Sequence, residues 1–287
     1  MSLELMYITN RTDVASLAQK AGVDRIFVDM EYIGKDIRQG GLDTVQSHHT
    51  VEDVKKLRPV INSSRLLVRV NPIHDATSSY CSSEEEINQV ISAGADVIML
   101  PYFKTATEVE RFIECVGKRV RNCLLLETSE AVENIDSILS VEGIDEIYIG
   151  LNDLHLCYGM DFMFQLLADG TVDRLAAKFK KKNLSFGFGG VARIGTGTLS
   201  ADCIFGEHYR LGSDRVILSR AFCDVSKEKS LKDIEDKLVS GVNDVRSFEK
   251  KLEKWSQEDF EANRLKTIEG TNKVVEMIRA KREGENE

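Results

Sequence analysis

Acidic, basic and amide side chains recur at one kind of place in this chain, directly after a short and continuously apolar run. "RIFVDMEY" passes into Asp29 and Glu31, "RLLVRVN" carries Arg69, "CLLLET" reaches Glu127, and "EIYIGLNDLH" turns polar at Asn152 and Asp153. Arg193 in "GGVARIGTGT" and Arg220 in "VILSRAF" follow two later runs. Reacting groups of parallel α/β folds project from the C-terminal ends of strands, so this placement makes these residues candidates for chemistry. Glu127 and Asp153 close consecutive runs, and neighbouring strands lie about 5 Å apart, so their carboxylates can converge. A divalent cation, Mg²⁺ or Mn²⁺, would remove their repulsion and leave its other positions to water and substrate. The competing reading is that Asp153 caps a turn and Glu127 a helix. Arg69 needs either a carboxylate, Asp29 or Glu31, or an anionic substrate, because an unpaired guanidinium is costly inside such a run. Arg193 and Arg220 follow the seventh and eighth runs, where many barrels hold phosphate, and point to a second anionic end on the substrate. The nearby glycines 187, 189, 190, 195 and 197 either admit that anion close to the backbone or serve plain turns.

The elements that must carry these residues are legible in the punctuation. Eight β-rich runs occupy 3–9, 25–30, 65–71, 96–103, 123–128, 146–151, 185–190 and 215–222. Most are apolar throughout, as suits parallel strands covered on both faces. Between them lie amphipathic patterns at 83–94, 105–118 and 129–141, each opened by a Ser or Thr able to cap with an acid in the first turn. Ala21-Gly22 and Ala93-Gly94 fit glycine C-caps that turn a helix into the next strand. Eight such units within residues 1–228 predict a (β/α)8 TIM barrel, with an open doubly wound sheet as the alternative. Residues 229–287 are charged, helical in pattern and outside the eightfold count. They form a C-terminal extension that is either solvated or packed on a neighbouring subunit.

Composition narrows the function classes. With 287 residues, 42% of them hydrophobic, the chain can bury a large core. A net charge of −9 argues against nucleic acid and against an anionic membrane surface as partners. Residues 1–30 already include Asp13, Lys20, Asp24 and Arg25, which leaves no signal-peptide core, and no run reaches the ~20 apolar residues of a membrane span. The six cysteines are scattered without a CxxC pair, which reads as reduced thiols in a cytoplasm. His48, His49, His74 and His155, four of the five histidines, fall in loops expected on the face that carries the candidates. Each is either a solvated loop histidine or a group for proton transfer or ligation; His49 and His155, with Tyr32, are kept as catalytic candidates.

At these residues the chain resembles the HpcH/HpaI type of metal-dependent (class II) pyruvate aldolases, within the wider citrate lyase β-subunit superfamily. The likeness spans about residues 3–222. It is strongest in "LLLETSEAVENIDSILSVEGIDEIYIGLNDLHLCYG" (124–159), with support from "GVDRIFVDMEYI", "LLVRVN" and "GADVIMLPYFKTATEVE". The resemblance implies that Glu127 and Asp153 bind the cation, that a 2-oxo acid such as pyruvate chelates it, and that Arg69 steadies the enolate oxygen. Backbone N–H groups around Leu151, Asn152 and Asp153 would meet the substrate carboxylate. It also implies a homo-oligomer, a hexamer or trimer. The chain departs from the family pattern in three places. Tyr32 stands where a histidine general base follows the strand-two glutamate, Leu125 replaces a glutamine, and the glycine-arginine-glycine loop before strand five is missing. A tyrosine, with a pKa near 10, is a poor base at neutral pH. The function expected is a carbon–carbon lyase acting on a 2-oxo acid through a metal-stabilised enolate, with an anionic aldehyde or acyl co-substrate. Two further readings stand beside it: an acyl-CoA condensation on the same metal, and a barrel that binds an oxo acid without turnover.

Overall fold

The structure, a computed structural model, describes residues 2–34 and 47–284. Among these residues the strands are β1 (Glu4–Ile8), β2 (Arg25–Asp29), β3 (Arg65–Arg69), β4 (Val97–Leu100), β5 (Arg121–Leu126), β6 (Glu146–Ile149), β7 (Ser185–Val191) and β8 (Arg215–Leu218). They are hydrogen-bonded in sequence order and close into a barrel, with helices alternating between them. The eight expected runs are thus the eight strands, and the open sheet is excluded. Two compact units are distinguished, Leu5–Tyr148 and Met1–Glu4 with Ile149–Glu287.

In Leu5–Tyr148 the strands are buried almost throughout; every residue of β2 is. The parallel register of β2 on β3 sets Arg25 beside Arg65, Phe27 beside Leu67 and Asp29 beside Arg69. Helices α1 (Thr12–Ala21), α2 (Val51–Leu57), α3 (Ser83–Ser92), α4 (Ala106–Val116), α5 (Ser129–Glu133) and α6 (Ile135–Ile138) belong to this unit. Thr50 with Asp53, and Thr105 with Glu108, form reciprocal capping boxes at α2 and α4, so orphan N–H groups in the first turn are satisfied. Gly94 has φ +103°, and a Cβ there would lie 2.5 Å from the Arg58 side chain, which itself donates to the Gly94 carbonyl. The pattern at 129–141 forms α5 and α6 in place of one helix, interrupted at Asn134 with φ −88° and ψ 9°.

The other unit holds α7 (Leu151–Cys157), α8 (Gln165–Ala168), α9 (Thr171–Lys181), α10 (Ala201–Leu211), α11 (Leu231–Leu252) and α12 (Gln257–Gly284). Strand β7 carries a register shift between Gly187 and Gly190. Within it Gly189 takes φ +62°, and a Cβ would meet the Leu151 side chain at 3.0 Å. The extension is helical and packed within its own unit. Ile234, Leu238, Val242, Val245 and Leu252 form the buried stripe of α11, and Gly241 lets it settle on the Phe222 ring. Glu249 on that helix accepts the Leu3 N–H at 2.7 Å. No helix of the described residues is long and apolar enough to cross a membrane.

Candidate functional site

The C-terminal ends of β2, β3 and β5 bring ionic groups together inside Leu5–Tyr148. Because Asp29 and Arg69 are register partners, the guanidinium meets the carboxylate side on: Nε and Nη2 donate to Oδ1 and Oδ2, both at 2.8 Å. Arg69 Nη1 lies 3.3 Å from Glu31 Oε2. Burial works against the Arg69 charge, but Asp29, Glu31 and then Glu127 outweigh it and raise the guanidinium's pKa well above its ordinary value. One guanidinium therefore faces three carboxylates. Glu127 itself is 2% exposed. It follows β5 directly and precedes Thr128, whose hydroxyl caps α5 and donates to the Phe103 carbonyl at 2.8 Å, so the backbone on both sides of Glu127 is fixed. Its Oε1 accepts the N–H of Tyr102, a residue in the left-handed region at φ +51°. Such a conformation is unusual for a tyrosine and aims that N–H at the carboxylate.

Tyr32 and Ile33, shortly after β2, are held by a residue that no strand supplies. Asn71 accepts the N–H groups of Tyr32 and Ile33 through Oδ1, at 2.8 and 2.9 Å, and donates through Nδ2 to Glu86 at 2.7 Å. Burial raises the Glu86 pKa. The Tyr32 hydroxyl donates to the His49 carbonyl at 2.6 Å, and its ring stacks on His48 at 5.7 Å. Burial, then Asp29, pushes the Tyr32 pKa up. The phenol so placed ties Tyr32 to His49. His49 is buried and its Nδ1 accepts the Asp29 N–H at 3.0 Å, which assigns the ring proton to Nε2.

In the other unit, Leu151, Asn152, Asp153 and His155 all lie on α7, since β6 ends at Ile149. Asp153, in the first turn, is 7% exposed, Leu151 and His155 are buried, and Asn152 is exposed. His155 Nδ1 lies 3.1 Å from the Leu151 carbonyl, which can only accept, so the ring proton is assigned to Nδ1 and the lone pair to Nε2. Burial lowers the His155 pKa. The two candidate histidines thus hold opposite tautomers. Arg193 is committed elsewhere: Nη2 donates to Ser240 Oγ at 2.9 Å and lies 3.5 Å from Asp244, both on α11. Arg220 lies exposed in the turn after β8.

Residues 5–161 match the sequence pattern of the HpcH/HpaI aldolase/citrate lyase family. The chain belongs to this family. Among its relatives is a hydroxypyruvate/pyruvate aldolase of Rhizorhabdus wittichii, 38% identical over 184 residues that cover 52% of this chain and 72% of the relative. A 2-keto-3-deoxy-L-rhamnonate aldolase of Escherichia coli is 27% identical over 159 residues, 51% of this chain. The chain spans 58% of that aldolase's length. The crystal structure of an HpcH/HpaI aldolase from Desulfitobacterium hafniense superposes with a TM-score of 0.61 at 17% identity, covering 82% of this chain and 93% of that one, which shows a shared fold.

The family match covers Tyr32, His49, Arg69, Glu127, Asp153 and His155, while Arg193 and Arg220 fall outside it. Among the described residues no cluster of three or more His, Cys, Asp or Glu has metal-binding geometry. A cation held by two carboxylates and otherwise by water and substrate calls for no such cluster. Sequence reasoning passed over Asn71, Glu86 and Tyr102. Asn71 ends the "LLVRVN" run and answers to the same rule that selected Arg69. Glu86 had a signal too, an acid on the buried helix face with Ile87 and Val90. Tyr102 had none, because its contribution is a backbone N–H.

Proposed function

We propose that this family member is a carbon–carbon lyase that cleaves or forms a bond to a 2-oxo acid such as pyruvate, with a divalent cation held by Glu127 and Asp153. The observation that carries this reading is the gathering of buried carboxylates, Asp29, Glu31 and Glu127, at the C-terminal strand ends around Arg69. Oxygen ligands so gathered are what a hard divalent cation takes. The donor set fits one: Glu127 and Asp153 offer oxygen ligands, and they end or follow β5 and β6, which are neighbours in the barrel order. When bound, Mg²⁺ or Mn²⁺ supplies a Lewis acid that polarises the 2-oxo group.

The remaining work falls to the chain's own residues. Arg69, fixed in orientation by Asp29, presents a permanent positive charge to the oxygen on which negative charge develops. Backbone N–H groups of Leu151, Asn152 and Asp153 in the first turn of α7 take the substrate carboxylate. His155, neutral and with its lone pair on Nε2, is the proton acceptor assigned here in place of the family histidine. Tyr32 is tied to His49 through the His49 carbonyl, and Arg220, in the turn after β8, is assigned to an anionic co-substrate. An acidic chain with dispersed cysteines supports a cytoplasmic setting, and the family resemblance supports a homo-oligomer. Residues 1–228 are taken as the catalytic barrel and 229–287 as its helical support.

The test is exchange of the pyruvate methyl protons in D₂O, followed by NMR on metal-stripped protein with and without Mn²⁺. Exchange is expected only with the metal, and the Asp153→Ala variant should abolish it. Exchange that persists in that variant would remove Asp153 from the site, and its absence in the parent protein would remove pyruvate as the substrate.

A further inference from the structure

Helix α12 is anchored at one end and reaches the segment after α7 at the other. Its first half lies against α10: Asn263 Nδ2 donates to the Cys203 carbonyl and to Glu207 Oε1, both at 3.0 Å. Gly206 makes this approach possible, since a Cβ there would lie 2.4 Å from the Asn263 amide. Thr267 and Thr271 are buried further along, and Gly270 seats on Leu199 in the segment after β7. The last turns of α12 are largely exposed and carry Arg279 and Arg282. Arg279 Nε donates to Asp161 Oδ2 at 2.7 Å, and Arg282 Nη1 donates to the other oxygen, Oδ1. The arginines are more than 60% exposed, but Asp161 is 13% exposed, so the two guanidiniums cover the carboxylate.

Asp161 is coupled to α7 by a short, fully bonded connection. Met160 N–H donates to the His155 carbonyl at 2.9 Å and Gly159 N–H to Leu156 at 3.0 Å, with Gly159 at φ +63°. This is the glycine-closed end that locks a following segment to the last helical turn. On the far side, the N–H groups of Asp161 and Phe162 both donate to Gln165 Oε1 at 2.9 Å. A displacement of Asp161 is therefore transmitted to α7, whose first turn carries Asp153. A helix of seven residues has little stability of its own and takes its orientation from such neighbours.

We propose that α12 is a positioning element of the candidate site, with Arg279 and Arg282, acting through Asp161, setting the orientation of α7 and so the placement of Asp153. The proposal rests on the reading of Asp153 as a cation ligand. It gives the C-terminal extension a role in ligand binding within its own chain. Neither arginine touches substrate or cation; both act at a distance, through backbone.

The experiment compares the full chain with Arg279→Ala/Arg282→Ala and with Arg279→Lys/Arg282→Lys. Amide hydrogen exchange is followed by mass spectrometry, and Mn²⁺ affinity is measured from the paramagnetic resonance of the free ion. In the alanine variant exchange across 151–162 should quicken while α10 and β7 stay unchanged, and Mn²⁺ affinity should fall by about two- to fivefold. Removing two positive charges would by itself strengthen cation binding, so a fall cannot be a charge effect. The lysine variant should recover most of the affinity. Unchanged exchange, or faster exchange with undiminished Mn²⁺ affinity, would overturn the positioning role. A parent protein that binds no Mn²⁺ would instead overturn the assignment of Asp153, an outcome distinguished by being independent of both variants.

Discussion

Within residues 5–148 ionic groups gather at both ends of the same strands, and the two ends are built on different pairings. At the N-terminal ends, Glu146 at the start of β6 accepts two hydrogen bonds from Arg25 of β2, at 2.6 and 2.9 Å, and a third from Arg121 of β5 at 2.8 Å. Arg25 and Glu146 are at most 1% exposed. Here two guanidiniums donate to one carboxylate. At the C-terminal ends one guanidinium, Arg69, faces Asp29, Glu31 and Glu127. The first cluster staples strands that are far apart in sequence. The second gathers carboxylates at the strand ends where barrels carry their reacting groups, not at the stability face.

The strongest way to break this comparison is Glu146→Gln. It takes the Glu146 charge away from the buried Arg25 guanidinium and should cost about 3–5 kcal/mol in denaturant unfolding. The Mn²⁺ response of the folded protein should be retained. A variant as stable as the parent would mean that the N-terminal cluster is no staple. Glu127→Gln should give the opposite pattern. The amide can still accept the Tyr102 N–H, and loss of a charge beside two other carboxylates should leave metal-free stability equal or higher. The stabilisation that saturating Mn²⁺ gives the parent, about 2.7 kcal/mol at one hundred times the dissociation constant, should vanish. A metal-dependent rise in the melting temperature that survives this substitution would take Glu127 out of the cation site.

The smallest effect sharpens the contrast from the other unit, where a buried polar group carries no charge at all. His208 is fully buried, stacks on Phe188 at 3.8 Å and bonds through Nδ1 to Ser213. Its Nε2 has no hydrogen-bond partner among the described residues. Burial lowers its pKa to about 3. The folded state therefore resists protonation that the unfolded chain accepts near pH 6.5. Stability from this group is complete above that pH and is lost as pH falls toward 3. About 1 kcal/mol should disappear between pH 7 and pH 5.5, and His208→Gln should flatten that slope in urea titrations. An unaltered slope would assign the acid sensitivity to other groups.

The strands were legible because burial on both faces writes itself as continuous apolar runs. Their ends were less so. The runs at 96–103 and 215–222 give strands that stop at Leu100 and Leu218, because Phe103 and Phe222 are buried in the loops that follow. Hydropathy reports burial, and a covered loop is as apolar as a strand. Glu127 and Asp153 could be picked out by the break in apolarity at the end of a run. Arg193 was chosen on the same rule, but its partners on α11 are 47 and 51 residues away in sequence, and local pattern carries no trace of such a pairing.

By itself the sequence determined the alternation of eight strands with helices, the caps that start several of those helices, and the face on which polar residues gather. These follow from short-range causes: side-chain periodicity, backbone preference and the cost of burying charge. Only the tertiary structure decided that Arg69 pairs with Asp29, that His49 and His155 carry opposite tautomers, that the Tyr32 hydroxyl bonds to the His49 carbonyl, and that α12 reaches back to Asp161. Each depends on strand register or on a contact across tens of residues or more, where the energy of one hydrogen bond is set by geometry that the whole fold imposes.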